Sequence, residues 1–134
     1  MVEQSEISVQ THKRTHWVDI TEEVQGIIAT SKVRKGICTV ASLHTTAGIT
    51  INENADPDVG RDFFDKLDAL VPQDPSFRHS EGNSDSHIKA SLVGLNVQLP
   101  VTDGRMVTGT WQSVYLCEFD GPRSRRVSVT IMGE

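Results

Sequence analysis

The chain has 134 residues, a length that fits one domain, and we expect a single domain over residues 1–134. The hydrophobic fraction of 37% and the charged fraction of 23% are typical of a globular protein, and no apolar run approaches the roughly 20 residues that a membrane-spanning helix needs. The net charge of -5 argues against a nucleic-acid partner. Because the N-terminus lacks the basic start and apolar stretch of a secretory signal, we expect a cytoplasmic protein.

Periodicity predicts strands and one helix in the first part of the chain. Apolar and polar residues alternate with period two from Glu6 to His12, which is typical of a half-buried strand. Thr21 is placed to cap a helix with glutamates in its first turn, and Gly36 marks the far end of this segment. Runs of β-forming residues predict two more strands, at Ile37–His44 and Ile49–Asn52.

The middle of the chain predicts two helices. Asp56 stands at a cap position and is followed by proline, which suits the first position of a helix. Apolar residues then recur at helical spacing as far as Leu70. After a proline-containing loop, Asn83 or Ser84 can cap a shorter helix that ends at Gly94.

The remainder of the chain predicts β-structure. The Asp103-Gly104 pair lies between two β-forming runs and is a strong hairpin signal. The fold class that follows is α+β, a mostly antiparallel two-sheet β-sandwich with flanking helices. The predicted strands of this part are Leu95–Val101, Arg105–Thr110, Trp111–Phe119 and Val127–Met132.

The two cysteines do not predict a metal site or a disulfide. Cys38 and Cys117 each lie inside an apolar run where a strand is predicted, without the spacing of a zinc knuckle or a disulfide framework. Cys117 has no neighbouring histidine or lysine in the sequence that could lower its pKa. We therefore expect two buried thiols.

Polar residues concentrate in three stretches, which we expect the fold to bring together as a functional site. Three of the five histidines, His44, His79 and His87, lie in these stretches. The stretches are Leu43–Gly48 followed by Asn52–Pro57, Arg78–His87, and Cys117–Arg123.

The three histidines are candidate ligands of a divalent metal, zinc or magnesium. Imidazole is the commonest neutral nitrogen ligand of zinc, and three histidines with an open fourth position can activate water or polarise an oxygen. The spacing of His44, His79 and His87 matches no local metal motif, so such a site has to be assembled from distant segments. The alternative is that they are ordinary loop or surface residues.

Other residues of the polar stretches favour an anionic ligand. Alternation along the Trp111–Phe119 strand places the side chains of Glu118 and Cys117 on opposite faces of the sheet. A carboxylate at this end of the strand can act as a base, a metal ligand or the partner of an arginine. The alternative is a solvated carboxylate without a function. Arg123 beside a glycine turn suits bidentate contact with phosphate or carboxylate. Asn83 at a helix start offers a second anion site. Together with the imidazoles they predict a phosphorylated or otherwise anionic small molecule.

Three long motifs resemble the YjbQ family, also called the secondary thiamine-phosphate synthase family. The resemblance covers nearly the whole chain, and the motifs occur in the order found in the family. One departure is Ser86, where alanine is common. The motifs are His44–Pro57, Gly82–Ala90 and Gly109–Gln112 running into Cys117–Arg123.

The resemblance implies a compact α+β fold built on a β-sandwich, a homotrimer, and one pocket that lies close to a subunit boundary. It also implies a weak ability to make thiamine phosphate by joining hydroxymethylpyrimidine diphosphate to thiazole phosphate, with release of diphosphate. The implied catalytic residues are His44, Asp85, His87 and Glu118. Phosphate-binding residues are expected at Asn83, Arg123 and Thr45, with His79 as an additional pocket residue.

For this reaction, the histidines serve as metal ligands or phosphate donors, Asp85 or Glu118 orients an imidazole, and Arg123 holds phosphate. Two other functions are compatible with the same residues. One is metal-assisted hydrolysis of a phosphorylated or amide metabolite. The other is a non-catalytic trimeric protein that binds a metal or an anion.

Overall fold

Two antiparallel sheets and three helices make up the fold in the computed structural model, which describes all residues 1–134. The helices are α1 (Thr21–Thr30), α2 (Pro57–Leu70) and α3 (Ser84–Val93). The strands are β1 (Val2–Gln10), β2 (His16–Asp19), β3 (Lys35–Ser42), β4 (Ala47–Glu53), β5 (Asn96–Thr102), β6 (Arg105–Met106), β7 (Gln112–Glu118) and β8 (Ser124–Gly133).

The strand order is β1-β8-β3-β5-β6 in the larger sheet and β2-β7-β4 in the smaller one, and all neighbouring strands are antiparallel. The main hydrophobic core lies between the two sheets and includes side chains from both and from α1. This arrangement confirms the predicted α+β sandwich with flanking helices. None of the three helices is long and apolar enough to cross a membrane.

The central strand of the smaller sheet, β7, is buried on both of its faces. Val114 and Leu116 belong to the main core between the sheets. Cys117 and Phe119 belong to a second cluster, which α2 and α3 cover from the other side with side chains such as Phe63. A strand buried on both faces carries apolar residues on both, which is why alternation alone could not show which face of β7 looks into the sandwich.

Two of the local predictions are confirmed in detail. Asp56 caps α2, because its side chain accepts a hydrogen bond of 2.9 Å from the N–H of Asp58, and Pro57 is the first helical residue. Asp103 and Gly104 form the two-residue turn between β5 and β6, with φ angles of 53° and 73°. Positive φ at both positions is typical of a type I′ hairpin turn.

The predicted bounds of α1 were wrong at both ends. Thr21 is the first helical residue and not the cap; its backbone N–H and its hydroxyl both donate to the Asp19 carboxylate, at 2.9 and 2.6 Å. The helix ends at Thr30, where the hydroxyl of Ser31 donates to the Ile28 carbonyl at 2.7 Å. Gly36 therefore lies in β3 and not at a helix end.

The strands also depart from the predicted ones. The first strand begins earlier than expected, and β2, which pairs with β7, was not predicted because a segment of four residues carries little periodicity. The predicted strand Arg105–Thr110 is reduced to Arg105–Met106. Its remainder leaves the larger sheet and crosses to the smaller one, and the side chain of Gln112 accepts the N–H of Gly109 at 2.8 Å at the end of this connection.

Both cysteines are buried free thiols, as the sequence predicts. Burial raises the pKa of Cys38 to about 11. It also raises the pKa of Cys117 well above its ordinary value. At neutral pH both groups are therefore protonated, and neither is an activated nucleophile.

We predict that Gly60→Ala destabilises the protein although alanine favours helices. Gly60 lies in α2, and a Cβ added there would come within 2.8 Å of Cζ2 of Trp17. The Trp17 ring cannot retreat easily, because it is stacked on Tyr115 and Phe63 with centroid distances of 4.2 and 5.3 Å. We expect a loss of about 1–3 kcal/mol in the free energy of unfolding, measured by urea denaturation.

The matched control is Gly26→Ala in α1, where an added Cβ has nothing within 4 Å. Here only the helix preference acts, and the free energy of unfolding should rise by about 0.5–1 kcal/mol. An equal rise in the free energy of unfolding of both variants would show that the close packing of Gly60 against Trp17 does not exclude a side chain at position 60.

Candidate functional site

A cavity of about 420 Å³ lies beside the start of α3, where the three polar stretches meet. Six of the predicted site residues line it: His44, Thr45, His79, Asn83, His87 and Arg123. We call it the histidine cavity. Its other lining residues are Leu43, Thr46, Glu81, Asp120 and Arg125.

Helix α3 fixes one wall of the histidine cavity. The carbonyl of Asn83 accepts the N–H of His87 at 3.3 Å, so these two side chains leave the helix one turn apart. The hydroxyl of the buried Ser86 donates to the carbonyl of Phe119 at 2.5 Å and ties α3 to the end of β7. The ring of His79 lies against that of His87, with a centroid distance of 5.3 Å and perpendicular planes. Two imidazoles from different segments are thus neighbours.

His44 faces the cavity as a neutral imidazole. Its Nε2 accepts the N–H of Arg126 at 2.8 Å. Burial lowers the pKa of His44 below its ordinary value, and the positive charges of Arg125 and Arg126 lower this pKa further. In the neutral ring whose Nε2 is an acceptor, Nδ1 carries the proton. His44 can therefore donate one hydrogen bond from Nδ1 to a ligand.

Asp120 organises the rim of the cavity. Arg123 donates from Nε to the Asp120 carbonyl at 2.8 Å and from Nη2 to Asp120 Oδ2 at 2.9 Å. The same Oδ2 accepts a hydrogen bond of 2.8 Å from Nδ2 of Asn83. These bonds hold the half-exposed guanidinium of Arg123 in one orientation, with part of its positive charge balanced by Asp120.

The buried side chain of Arg125 forms the floor of the cavity. Its Nε donates to Glu118 Oε1 at 2.9 Å, and its Nη2 donates to Glu118 Oε2 and to Thr46 Oγ1, the latter at 2.8 Å. Nη1 has no hydrogen-bond partner in the chain. The guanidinium therefore still has N–H donors available for a ligand.

Glu118 does not line the cavity, which corrects its expected place among the catalytic groups. Besides Arg125, it accepts hydrogen bonds from the Thr11 hydroxyl at 2.7 Å and from the N–H of Asp120 at 3.0 Å. Burial alone raises the pKa of Glu118, but these hydrogen bonds outweigh burial and the pKa lies below its ordinary value. Glu118 is thus a fully paired carboxylate that supports the floor.

Asp85 is also a support and touches no imidazole, so the expectation that Asp85 or Glu118 orients a histidine is wrong. Its buried carboxylate is bound by Arg14 Nη2 at 3.3 Å and by Lys89 Nζ at 3.4 Å. Lys89, which is buried as well, bonds Asp68 of α2 at 2.6 Å. Asp85 therefore joins α3 to the loop after β1 through Arg14. Its partner Lys89 joins α3 to α2 through Asp68.

The side chains of the cavity do not form a preformed metal centre. Nowhere in the chain do three His, Cys, Asp or Glu side chains form a group that could hold a metal ion. In particular, Nε2 of His44 already accepts a backbone N–H, so it is not free for a third ligand beside His79 and His87. The residues of one chain do not fit a three-histidine centre, and we derive no step through a metal.

Sequence reasoning missed Arg125, Asp120 and Glu81 as lining residues. For Arg125 a signal was present: it stands in phase with the inward-facing Val127 and Val129 of β8, so an arginine occupies a core position of a strand. A buried arginine needs a buried partner, and this rule could have pointed to Glu118. Asp120 and Glu81 carry no comparable signal, since both lie in turns.

The fold and the cavity define a class: a small two-sheet α+β protein with a ligand-sized cavity rich in histidine and arginine. A family model described as UPF0047 protein YjbQ-like matches residues 5–134. A UPF0047 protein of Methanocaldococcus jannaschii is 49% identical over 126 residues, covering 94% of this chain and 91% of the relative. UPF0047 protein YugU of Bacillus subtilis is 44% identical over 128 residues, covering 95% and 97%. The chain therefore belongs to the UPF0047 YjbQ-like family.

Solved structures agree with this assignment. The structure of a YjbQ/UPF0047 family protein from Clostridium acetobutylicum matches with a TM-score of 0.93 at 48% identity, covering 96% of this chain and 99% of that chain. A YbjQ-like protein from Sulfolobus solfataricus matches with a TM-score of 0.95 at 34% identity, covering 100% and 99%. These values show the same sandwich throughout.

We predict that Glu118→Gln lowers the free energy of unfolding at neutral pH by about 3–5 kcal/mol, because it leaves Arg125 as a buried charge without its partner. The pKa of Glu118 is lower in the folded than in the unfolded chain. Its contribution to stability is therefore complete above the unfolded value of about 4.3 and is lost as the pH falls through the lowered folded value. In the variant, this part of the acid dependence should be missing from urea denaturation curves.

Glu6→Gln is the control, because Glu6 forms an exposed ion pair of 3.4 Å with Arg126. An exposed pair contributes at most about 1 kcal/mol. If Glu118→Gln is no less stable than Glu6→Gln, the buried pair between Glu118 and Arg125 does not stabilise the fold.

Proposed function

We propose that the histidine cavity binds the phosphate groups of a small molecule and that the protein is a transferase of the thiamine-phosphate synthase type. In this reaction it couples hydroxymethylpyrimidine diphosphate to thiazole phosphate. One observation carries the proposal: N–H donors from Arg123, Arg125 and the imidazoles surround a single cavity. Guanidinium and imidazole donors suit phosphate oxygens.

The proposed coupling needs little from the protein besides charge stabilisation. The bond between the pyrimidine methylene carbon and the diphosphate oxygen breaks, and diphosphate leaves with the bonding electrons. The lone pair of the thiazole nitrogen forms the new carbon–nitrogen bond, which makes a thiazolium cation. No proton has to be removed from the nucleophile. The barrier then depends mainly on neutralising the negative charge of the leaving group.

The pairing of the carboxylates supports this chemistry over hydrolysis. Hydrolysis by the chain's own side chains needs a base that activates water. Glu118 and Asp85 are buried in ion pairs, and Asp120 is bound by Arg123 and Asn83. The remaining lining carboxylate, Glu81, is 71% exposed, so the buried part of the site offers N–H donors and no free carboxylate, which suits a reaction in which a charged group departs.

Helix α3 adds to the attraction for phosphate. It begins at Ser84 beside the cavity, so the positive end of its dipole lies near the lining residue Asn83. Backbone N–H groups at a helix start bind anions readily. The helix therefore acts in the same sense as Arg123 and Arg125.

The proposal includes a homotrimer, which the resemblance implies, in a cytoplasmic protein. Apolar side chains on and after α3 support an assembly, because Ile88, Leu92 and Leu95 are exposed. Leu43, at the cavity, is exposed as well. Exposed apolar residues close to one another typically mark contact surfaces between proteins.

We predict that Arg123→Ala and His87→Ala each reduce the rate of diphosphate release by about 10²-fold, the usual effect of removing one donor to a developing charge. The measurement is diphosphate release with both substrates present. Arg61→Ala, which removes an equal charge from an exposed pair on α2, is the matched control and should retain the wild-type rate. A fully active, folded His87→Ala variant would contradict the assignment of this residue.

The same assay separates the alternative functions. Release of diphosphate or phosphate without thiazole phosphate would show hydrolysis. Calorimetric binding of phosphorylated ligands with no turnover would show an anion-binding protein without catalysis.

For the assembly, we predict that Leu92→Lys shifts the protein from trimer to monomer, because it places a charge in the apolar contact. Light scattering coupled to size-exclusion chromatography measures the mass. The control is Leu70→Lys, since Leu70 is equally exposed but lies at the end of α2. A monomeric wild type, or a Leu92→Lys variant that keeps the trimer, would contradict the proposed contact.

A further inference from the structure

One polar atom of the histidine cavity has no partner. Oδ1 of Asn83 is the single side-chain nitrogen or oxygen in the chain that is itself inaccessible to solvent and makes no hydrogen bond. Asn83 itself is only 8% exposed, and it lines the cavity. Buried polar atoms without a partner are rare, so this one requires an explanation.

The orientation of the Asn83 amide is fixed by its other end. Nδ2 donates to Oδ2 of Asp120 at 2.8 Å. Rotating the amide by half a turn would bring Oδ1 against the Asp120 carboxylate, where two acceptors repel each other. Asp120 Oδ2 also accepts from Arg123, so the carboxylate cannot turn away to accommodate such a rotation. Oδ1 therefore remains the end that is left over.

The unpartnered atom is an acceptor in a lining that is rich in donors. The carboxylates of Asp120 and Glu81 in the same lining are acceptors as well, but Asp120 is bound by Arg123 and Asn83, and Glu81 is exposed to water. Arg125 Nη1, Arg123 and the Nδ1 of His44 offer donors to a ligand, whereas Asn83 Oδ1 can only accept. An oxyanion whose oxygens are all acceptors can accept hydrogen bonds from these donors, but it cannot form a hydrogen bond with Oδ1, which is also an acceptor. A ligand that satisfies the whole cavity must bring one O–H or N–H donor together with its negative oxygens.

We infer that the cavity selects an oxyanion that carries its own hydrogen-bond donor, and that Oδ1 of Asn83 accepts the hydrogen bond from this donor. The inference rests on the proposed phosphate binding and narrows it. Two sources of the donor share this chemistry: the P–OH group of hydrogen phosphate, and a hydroxyl on the carbon skeleton of a phosphate ester.

Because Oδ1 is buried, a ligand donor can reach it only when part of the cavity lining moves, and the loop before α3 supplies two of the lining side chains. His79 and Glu81 line the cavity there with side chains that are 42% and 71% exposed. Their nearest approach, from His79 Nε2 to Glu81 Oε2, is 3.9 Å, which is too long for a hydrogen bond. Neither side chain forms a hydrogen bond that would hold it in place, so both can move when a ligand enters the cavity.

The test compares four dianions of equal charge with the full chain at about pH 8, well above the second pKa near 6 of a phosphate ester. Sulfate and methyl phosphate carry no donor under these conditions. Hydrogen phosphate carries a P–OH group, and glycerol 2-phosphate carries carbon-bound hydroxyls. Calorimetry gives the dissociation constant of each. We expect at least one of the two donor-bearing anions to bind about ten-fold or more tightly than both sulfate and methyl phosphate.

Two variants locate the discrimination. Asn83→Ala should bring the ratio between donor-bearing and donor-free anions close to one. His87→Ala is the matched control from the same cavity, because the His87 side chain forms no hydrogen bond with Asn83 or Asp120: it should weaken all four anions by a similar factor and keep the ratio. Thermal unfolding of both variants checks that they are folded.

Every outcome decides the inference. Preference for hydrogen phosphate alone assigns the donor to P–OH, and preference for glycerol 2-phosphate alone assigns it to the ligand's skeleton. Equal binding of all four anions overturns the inference and leaves the proposed phosphate binding standing. Absence of binding by all four overturns both. If the wild type discriminates and a folded Asn83→Ala keeps the same ratio, the role of Asn83 is wrong.

Discussion

The buried ion pair between Arg125 and Glu118 is the interaction on which the candidate site depends. Arg125 comes from β8 of the larger sheet and Glu118 from β7 of the smaller one, so the pair joins the two sheets at the end of the sandwich. Neither charge can stay buried without the other, because transferring a lone charge out of water is far too costly. The pair also fixes the guanidinium with two nitrogens turned towards Glu118 and Thr46, which leaves Nη1 for the cavity.

A division of labour among charged residues follows from this pair. The deeply buried carboxylates, Glu118 and Asp85, are bound by arginine or lysine and hold β7, α3 and α2 in place. The groups that face the cavity are mostly donors, among them His44 and Arg123. The two most deeply buried acids thus support the structure, whereas the cavity is lined by histidines and arginines together with the carboxylates of Asp120 and Glu81. The proposed anion binding therefore depends on N–H donors directed into the cavity and not on net charge, since the chain as a whole carries a net charge of -5.

The sequence was sufficient for the fold class and for the meeting of the three polar stretches at one cavity, but not for the contacts within that cavity. The cap at Asp56 and the hairpin turn at Asp103 and Gly104 depend on local chemistry, which a sequence displays directly. The partners of Glu118 and Asp85 come from distant segments, as with Arg14 and Asp85, and no periodic pattern encodes such pairings. Alternation placed Glu118 on the face opposite Cys117, yet a strand buried on both faces does not reveal which face lies inside the sandwich.

Because Glu118 and Arg125 are buried as an ion pair, the two residues also constrain how sequences of this fold can change. A substitution of either residue alone leaves an unpaired charge between the sheets. A change of both residues in two successive steps therefore passes through an unstable protein. Replacing both by apolar residues of similar volume removes that penalty, but it also removes the floor of the cavity. Related chains should therefore either carry both residues or lack both, and those that lack both should have a cavity with a different floor.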